Sequence, residues 1–235
     1  MRRTILVGDV HGCSAELQSL LDKVALASGD QLVFVGDLVA KGPDSRGVLR
    51  LMRELGARSV IGNHEERVLA GRAAERADRT PPRLDPTHRA LLEELEDEEW
   101  AELEALPLGI ELPEHELRIV HAGVVPGIPF AEQDPWLLTH IRSISEDGVP
   151  SSKWGPLWGA RYTGPPHVVF GHNARKDPQL HPDATGLDTA CVYGGELTAL
   201  VLPEAARLPA PADRRDALVA VPARRAYSDY GRPLS

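Results

Sequence analysis

Little in this sequence points to export, a membrane or a nucleic acid. Two cysteines, Cys13 and Cys191, in 235 residues are too few for a disulfide framework, and both read as reduced packing thiols. No apolar run approaches the ~20 residues that a membrane-spanning helix needs. The opening apolar stretch ends at Asp9, too soon for the core of a secretory signal, so the expected compartment is the cytoplasm. Basic residues are outnumbered 26 to 35, for a net charge of −9. Non-specific binding to duplex nucleic acid, which depends on a basic surface displacing counterions, is therefore not expected. An anionic small molecule stays open as a substrate, because bound divalent cations reverse the sign of a local site.

What is present is a series of short β-branched and leucine-rich runs, each ending in Gly, His or Asp: residues 4–8, 32–36, 59–62, 117–121 and 167–171. They read as buried strands with polar carboxyl ends. Helical spacing of Leu17, Leu20, Leu21 and Val24, and of Val48, Leu49, Met52 and Leu55, puts a helix after each of the first two strands. Such alternation predicts βαβ units in an α/β fold, with ligands beyond the carboxyl ends of the strands. One domain over residues 1–235 is expected, carrying a charged, strandless helical cap or insertion at about 66–106, with the acidic run 93–99 as its solvated face. Residues 134–166, with Trp136, Trp154 and Trp158, read as a long functional loop. Residues 187–192 and 197–202 read as a hairpin turning at Gly194 and Gly195, and 217–221 as an added edge strand.

The chemistry lies at the strand ends. Gly8-Asp9-Val10-His11-Gly12 offers a carboxylate and an imidazole on one turn, a pairing that suits first-row cations better than calcium. Gly36-Asp37 and Gly62-Asn63-His64-Glu65 repeat the arrangement after the next two strands. Any one of these is readily an Asx-turn or a helix cap; three in succession, followed by Val120-His121-Ala122-Gly123 and Phe170-Gly171-His172, are not. His88, His115, His140, His167 and His181 read as ordinary core or surface histidines.

The ordered set resembles the calcineurin-like metallophosphoesterases, in their phosphoprotein-phosphatase branch, over residues 5–202. The resemblance implies two packed β-sheets flanked by helices, an α+β sandwich with its metal site at the carboxyl ends of the strands. It further implies two divalent cations, one on Asp9, His11 and Asp37, the other on Asp37, Asn63, His121 and His172, with Asp37 shared. Manganese is expected first, with cobalt, iron, zinc, nickel or magnesium as alternatives. Hydrolysis would proceed by in-line attack of a hydroxide bridging the pair, ~3.5–4 Å apart in two-metal sites. His64 would be the general acid for the leaving oxygen, and Lys41 with Arg142 or Arg161 would hold phosphate oxygens, Arg bidentately and Lys as a point charge.

Protein serine/threonine phosphatases of that branch carry a second Asp and an Arg where this chain has Ala40 and Lys41. Gly36-Asp37-Leu38-Val39-Ala40, running on to Gly42-Pro43, is instead similar to the symmetrical bis(5′-nucleosyl)-tetraphosphatases and phosphatases like them. A nucleotide substrate such as diadenosine tetraphosphate is expected, with Trp136, Trp154, Trp158, Tyr162 or Tyr193 available to stack on a base. A serine/threonine or tyrosine protein phosphatase acting on phosphoproteins is the second reading. A metal-binding regulatory protein that has lost catalysis is the third, and the complete ligand set with His64 speaks against it.

Overall fold

Alternation along the strands decides the layering. In β1 (Arg3–Val7), Ile5 and Val7 enter one hydrophobic cluster while Leu6 enters another. Successive strand side chains face opposite ways, so this strand must be covered twice. In the computed structural model, which describes residues 2–231, the first cover is helical. Ile5 and Val7 join Leu32 and Phe34 of β2 (Gln31–Phe34), packed on Leu17, Leu20 and Leu21 of α1 (Ser14–Lys23) and Val48, Leu49 and Met52 of α2 (Ser45–Glu54). The apolar positions at helical spacing form these buried faces except Leu55, which lies just past α2 and is exposed, and Asp44 caps α2 by accepting the Gly47 N–H at 2.8 Å.

After β3 (Arg58–Ser59) come α3 (Asn63–Arg76), α4 (Pro86–Glu94) and α5 (Asp97–Glu104). Leu91, Leu95, Trp100 and Leu103 join the same cluster, so the helical segment packs into the core on the side of α2 rather than standing apart. Its acidic run is not wholly solvated. Glu99 is buried and meets Arg46 at 2.8 Å, while Arg53 reaches Glu98 and Glu102 at 3.1 and 2.9 Å. The reason is that α2 turns arginines toward the insertion.

The second sheet contains β4 (Gly109–Leu112), β5 (Leu117–Val120), β8 (His167–Phe170), β9 (Gln179–Leu180) and β10 (Ala184–Gly186). Between β5 and β8 lie α6 (Pro135–His140) and a small antiparallel pair, β6 (Ser143–Ile144) and β7 (Pro150–Ser151). The chain then completes the first sheet with β11 (Glu196–Pro203) and β12 (Leu218–Pro222), in the order β12-β11-β1-β2-β3; the second runs β4-β5-β8-β10-β9. Both are mixed: β1, β2 and β3 are parallel to one another, as are β5, β8 and β10. Leu6, Val33, Val35 and Val60 meet Leu112, Ile119 and Val169 between the sheets, and Val168 and Phe170 pack outward on Leu138, Ile141 and Trp158. The layers are thus helices, sheet, sheet, helix, the sandwich that the resemblance implied.

Three local expectations differ. Residues 187–192 are not a hairpin arm; β10 ends at Gly186 in the second sheet, and the following run crosses to the first. Its apolar character comes from that passage, with Leu187 in the core between the sheets. Residues 134–166 are not one long loop but contain α6, β6 and β7. The third strand is shorter than 59–62. The edge strand does form, as β12 paired antiparallel with β11. Among the described residues no helix is long and apolar enough to cross a membrane.

Candidate metal centre

Asp9, Asp37 and Asn63 follow the parallel strands β1, β2 and β3, and His121 and His172 follow the parallel pair β5 and β8. Parallelism brings their carboxyl ends to common edges, and the two sheets meet there: the Asp9 carboxylate accepts the His172 N–H at 3.0 and 3.2 Å. The glycines before Asn63 and His172 have a steric reason. A β-carbon at Gly171 would lie 1.9 Å from Asp9 Oδ1, and one at Gly62 would lie 2.2 Å from Asp37 Oδ1. His11, Asp37 and His172 take left-handed backbone angles, φ 47°, 50° and 65°, at ~1–2 kcal/mol each for non-glycine residues. The loops sustain this by mutual bonding, since Asp37 O accepts both Val10 N–H and His11 N–H, at 3.2 and 2.8 Å.

Asp37 stands in the middle of the cluster. Its Oδ2 lies 3.4 Å from His11 Nε2 and 3.4 Å from His121 Nε2. The donor atoms of Asp37, His121 and His172 lie within 4.8 Å of one another, as do those of His11, Asp37 and His64. Asn63 Oδ1 is 3.1 Å from His121 Nε2 and 2.7 Å from His172 Nδ1. Two rings are oriented from behind: His11 Nδ1 is 3.2 Å from Val39 O and His121 Nδ1 is 2.9 Å from Val35 O. Backbone carbonyls in that position leave Nε2 for a ligand bond, the usual outer support of a metal-binding histidine. His172 Nε2 is buried without a hydrogen-bond partner. Imidazole nitrogens gathered this closely around a carboxylate and an amide oxygen are what a cation site requires, and the donor set fits divalent first-row metals. Asp9 falls outside both close groups.

The electrostatics agree. Burial, then the charges of Asp188 and of Asp37, hold the Asp9 carboxyl well above its usual range. Burial works to discharge His121, but Asp37 outweighs it and lifts His121 to about 10. Burial and the nearby Lys41 push His11 down to about 3. Gathering three buried carboxylates, Asp9, Asp37 and Asp188, is costly without compensating positive charge.

Glu65 was quoted from the sequence only as part of a motif, yet it joins the loops. Fully buried, it accepts the N–H groups of Asp37 and Gly62 at 2.9 and 2.8 Å and that of Val39 at 3.0 Å. Burial, with the Asp37 charge, pushes it up to about 7. An orphaned buried donor costs ~1–3 kcal/mol, so Glu65→Ala is expected to lower stability by about 3 kcal/mol or more. Urea unfolding of the metal-free protein measures this; an unchanged midpoint would contradict the role.

Of the residues assigned to phosphate, the structure brings Lys41 and Arg142 to the cluster and not Arg161. Lys41 Nζ is 3.3 Å from His11 Nε2 and 5.2 Å from the Tyr193 ring centre. Arg142 donates to His172 O at 3.1 Å and Asn173 Oδ1 at 2.9 Å, with its guanidinium 4.9 Å from the Trp154 ring centre. Arg161 is exposed and donates to the carbonyls of Ser145 and Glu146 at 2.7 and 3.2 Å, which spends it on the turn between β6 and β7.

The aromatic residues also separate. Trp158 is fully buried, its indole donating to Ala122 O at 3.0 Å, and Tyr162 packs on it; both belong to the core. Trp136 is 50% exposed and stacks on His140, with ring centres 4.6 Å apart, and His140 in turn lies 6.3 Å from the His172 ring. It is an open aromatic near the cluster, as is Trp154, 37% exposed against Arg142. Cys13 and Cys191 are buried free thiols, and the contact with Cys13, followed by burial, holds the Cys191 thiol above its ordinary range.

His64 sits at the start of α3. Its backbone N–H donates to Asp37 Oδ1 at 3.0 Å, and its ring stands nearly perpendicular to that of His11, centres 4.8 Å apart. His88, read from the sequence as ordinary, lies against it: His64 Nδ1 is 2.9 Å from His88 Nε2. That contact spans 24 residues and carries no local motif, so only the fold reveals it.

The family model for calcineurin-like phosphoesterases matches residues 2–201. The chain belongs to that family. A protein of Halalkalibacterium halodurans named bis(5′-nucleosyl)-tetraphosphatase PrpE, asymmetrical, is 32% identical over 85% of this chain and 89% of its own length. One of Erwinia tasmaniensis named bis(5′-nucleosyl)-tetraphosphatase, symmetrical, is 32% identical over 84% and 93%. A crystal structure described as a candidate diadenosine tetraphosphatase superposes with a TM-score of 0.79 at 36% identity, covering 94% of each chain. Dinuclear metal sites are the property of this family, and two groups of candidate ligands share Asp37 in this chain.

Proposed function

We propose that this chain is a metal-dependent hydrolase of dinucleoside polyphosphates such as diadenosine tetraphosphate, cleaving between inner phosphates to release two nucleoside diphosphates. The observation that carries the hydrolytic reading is the position of Asp37 Oδ2, 3.4 Å from a histidine of each ligand group. One cation would be held by Asp9, His11 and Asp37 and the other by Asp37, Asn63, His121 and His172, with manganese first among the metals. When bound, the pair supplies Lewis-acid activation of water and neutralises charge on phosphoryl oxygens. Lys41 and Arg142 bind the remaining phosphate oxygens, and His64 gives a proton to the leaving oxygen. Trp136 offers an exposed ring for a base, a contact worth ~1–3 kcal/mol on stacking platforms.

The substrate class is supported by Ala40, which departs from the protein-phosphatase pattern, and by the names of the relatives, which divide on where the polyphosphate is cut. Product analysis tests it. Purified protein loaded with manganese or cobalt is expected to turn diadenosine tetraphosphate into two ADP. AMP with ATP would align the chain with its asymmetrical relative and overturn the symmetrical cut. Rapid dephosphorylation of phosphopeptides with no nucleotide product would select the protein-phosphatase reading. Absence of turnover even on an aryl phosphate would leave a metal-binding protein without catalysis.

A further inference from the structure

His64 has no carboxylate behind its ring. The side chain at Ala40 has no hydrogen-bonding group, and Asp37 engages the backbone of His64 rather than its imidazole. The ring nonetheless has a polar partner. The His64 and His88 rings are close to parallel, 9° apart with centres at 4.9 Å, and their facing nitrogens are 2.9 Å apart. His88 is fully buried, and on its far side Nδ1 lies 2.8 Å from Asp85 Oδ1. That approach is an ion-pair contact rather than a straight hydrogen bond. Asp85 is itself fixed, as the cap of α4, by the N–H groups of Thr87 and His88 at 3.0 and 3.1 Å and the Thr87 hydroxyl at 2.7 Å. Thr87 Oγ1 also accepts the Lys41 N–H at 3.0 Å. The amino end of one helix of the insertion therefore holds both the ring of His64 and the loop that carries Lys41.

We propose that Asp85 and His88 are positioning residues for His64. The Asp85 carboxylate keeps the proton of His88 on Nδ1, so His88 Nε2 presents a lone pair that accepts the His64 Nδ1 proton. His64 is then held in one ring orientation with Nε2 toward the reaction; from its doubly protonated form the Nε2 proton passes to the leaving oxygen as its bond to phosphorus breaks, and the neutral ring left behind keeps its proton on Nδ1. A neutral imidazole has one donor and one acceptor nitrogen, and its partner decides which is which. The inference rests on the acid role proposed for His64. Simple packing of two histidines would make no distinction between polar and apolar replacements of His88.

The test compares His88→Leu, which removes the acceptor at similar volume, with His88→Gln, whose amide oxygen can restore it. Asp85→Asn keeps the helix cap and removes only the charge. Outer supports of catalytic groups typically contribute ~10- to 100-fold, so His88→Leu should lower kcat by about that factor on an alkyl phosphate. KM and metal content should hold, and p-nitrophenyl phosphate, whose leaving group needs little protonation, should be less affected. His88→Gln should recover most of the loss, and Asp85→Asn should show a several-fold fall. Ring ¹⁵N spectra of the metal-free protein should place the His64 proton on Nδ1, and His88→Leu should release that preference. If His88→Leu keeps full kcat on the alkyl phosphate while His64→Asn loses it, the positioning claim fails and the acid reading stands. If His64→Asn also keeps it, the acid reading itself fails. Should His88→Leu not fold, Asp85→Asn decides: unchanged kcat on the alkyl phosphate overturns the proposal, and a fall confined to poor leaving groups supports it.

Discussion

Asp37→Asn is expected to empty both metal positions together and to lower turnover by at least ~10³-fold. The substitution keeps the shape of the side chain and leaves an oxygen for the His64 N–H now received by Oδ1 at 3.0 Å, so the fold has little reason to change. What it removes is the charge on Oδ2, which lies 3.4 Å from His11 Nε2 and from His121 Nε2. Asp9, His11, Asn63, His121 and His172 would then share one carboxylate among them. Metal-ion catalysis supplies several kcal/mol of transition-state stabilisation, and about 4 kcal/mol corresponds to ~10³-fold in rate. Elemental analysis after desalting reads metal content. Thermal unfolding with and without added manganese reads the same event independently, because a cation that binds only the folded chain raises its stability by mass action. Two metals retained per chain, or a metal-dependent rise in Tm equal to wild type, would contradict the shared-ligand geometry.

The cluster of candidate ligands was legible in the sequence because its members follow strand ends, where residue type and position are coupled. A glycine, then an acid or amide, recurred at Asp9, Asp37 and Asn63. The structure supplies the steric reason at Gly62 and Gly171, where a β-carbon would collide with the carboxylates of Asp37 and Asp9. The alternating strands and the spaced leucines of α1 and α2 were legible for a similar reason, since local periodicity records which face is buried. What escaped depended on contacts between distant segments. His88 carries no motif and gains its meaning from the start of α3, 24 residues earlier in the chain. Glu65 lay inside a motif, but its three backbone partners could not be named from spacing alone. Arg142 and Arg161 were equivalent candidates until the turn between β6 and β7 took one of them. The run 187–192 shows the converse: a crossing segment buried first between the sheets, at Leu187, and then under the helices, at Cys191 and Val192, has an apolar pattern that local reading takes for a strand.

His64→Asn separates the two roles that the geometry leaves adjacent, acid and ligand. A donor atom of His64 lies in the same close group as those of His11 and Asp37, so proximity by itself would admit it to the first metal position. Its ring is committed elsewhere, with Nδ1 against His88 at 2.9 Å, and in the proposed assignment Asp9 with His11 and Asp37 would furnish three donors. As an acid, His64 gives up a proton that Asn has no means to supply. General acid catalysis typically contributes ~10²–10⁴-fold, and that is the expected fall in kcat, with both metals still bound. The loss should grow as the leaving group becomes more basic, because a poor leaving oxygen depends most on being protonated as its bond breaks. Steady-state rates across a series of phosphate esters, with metal content determined for each preparation, carry the test. A variant that keeps one metal instead of two would make His64 a ligand. A loss equal for good and poor leaving groups would assign the ring to holding phosphate, beside Lys41 and Arg142.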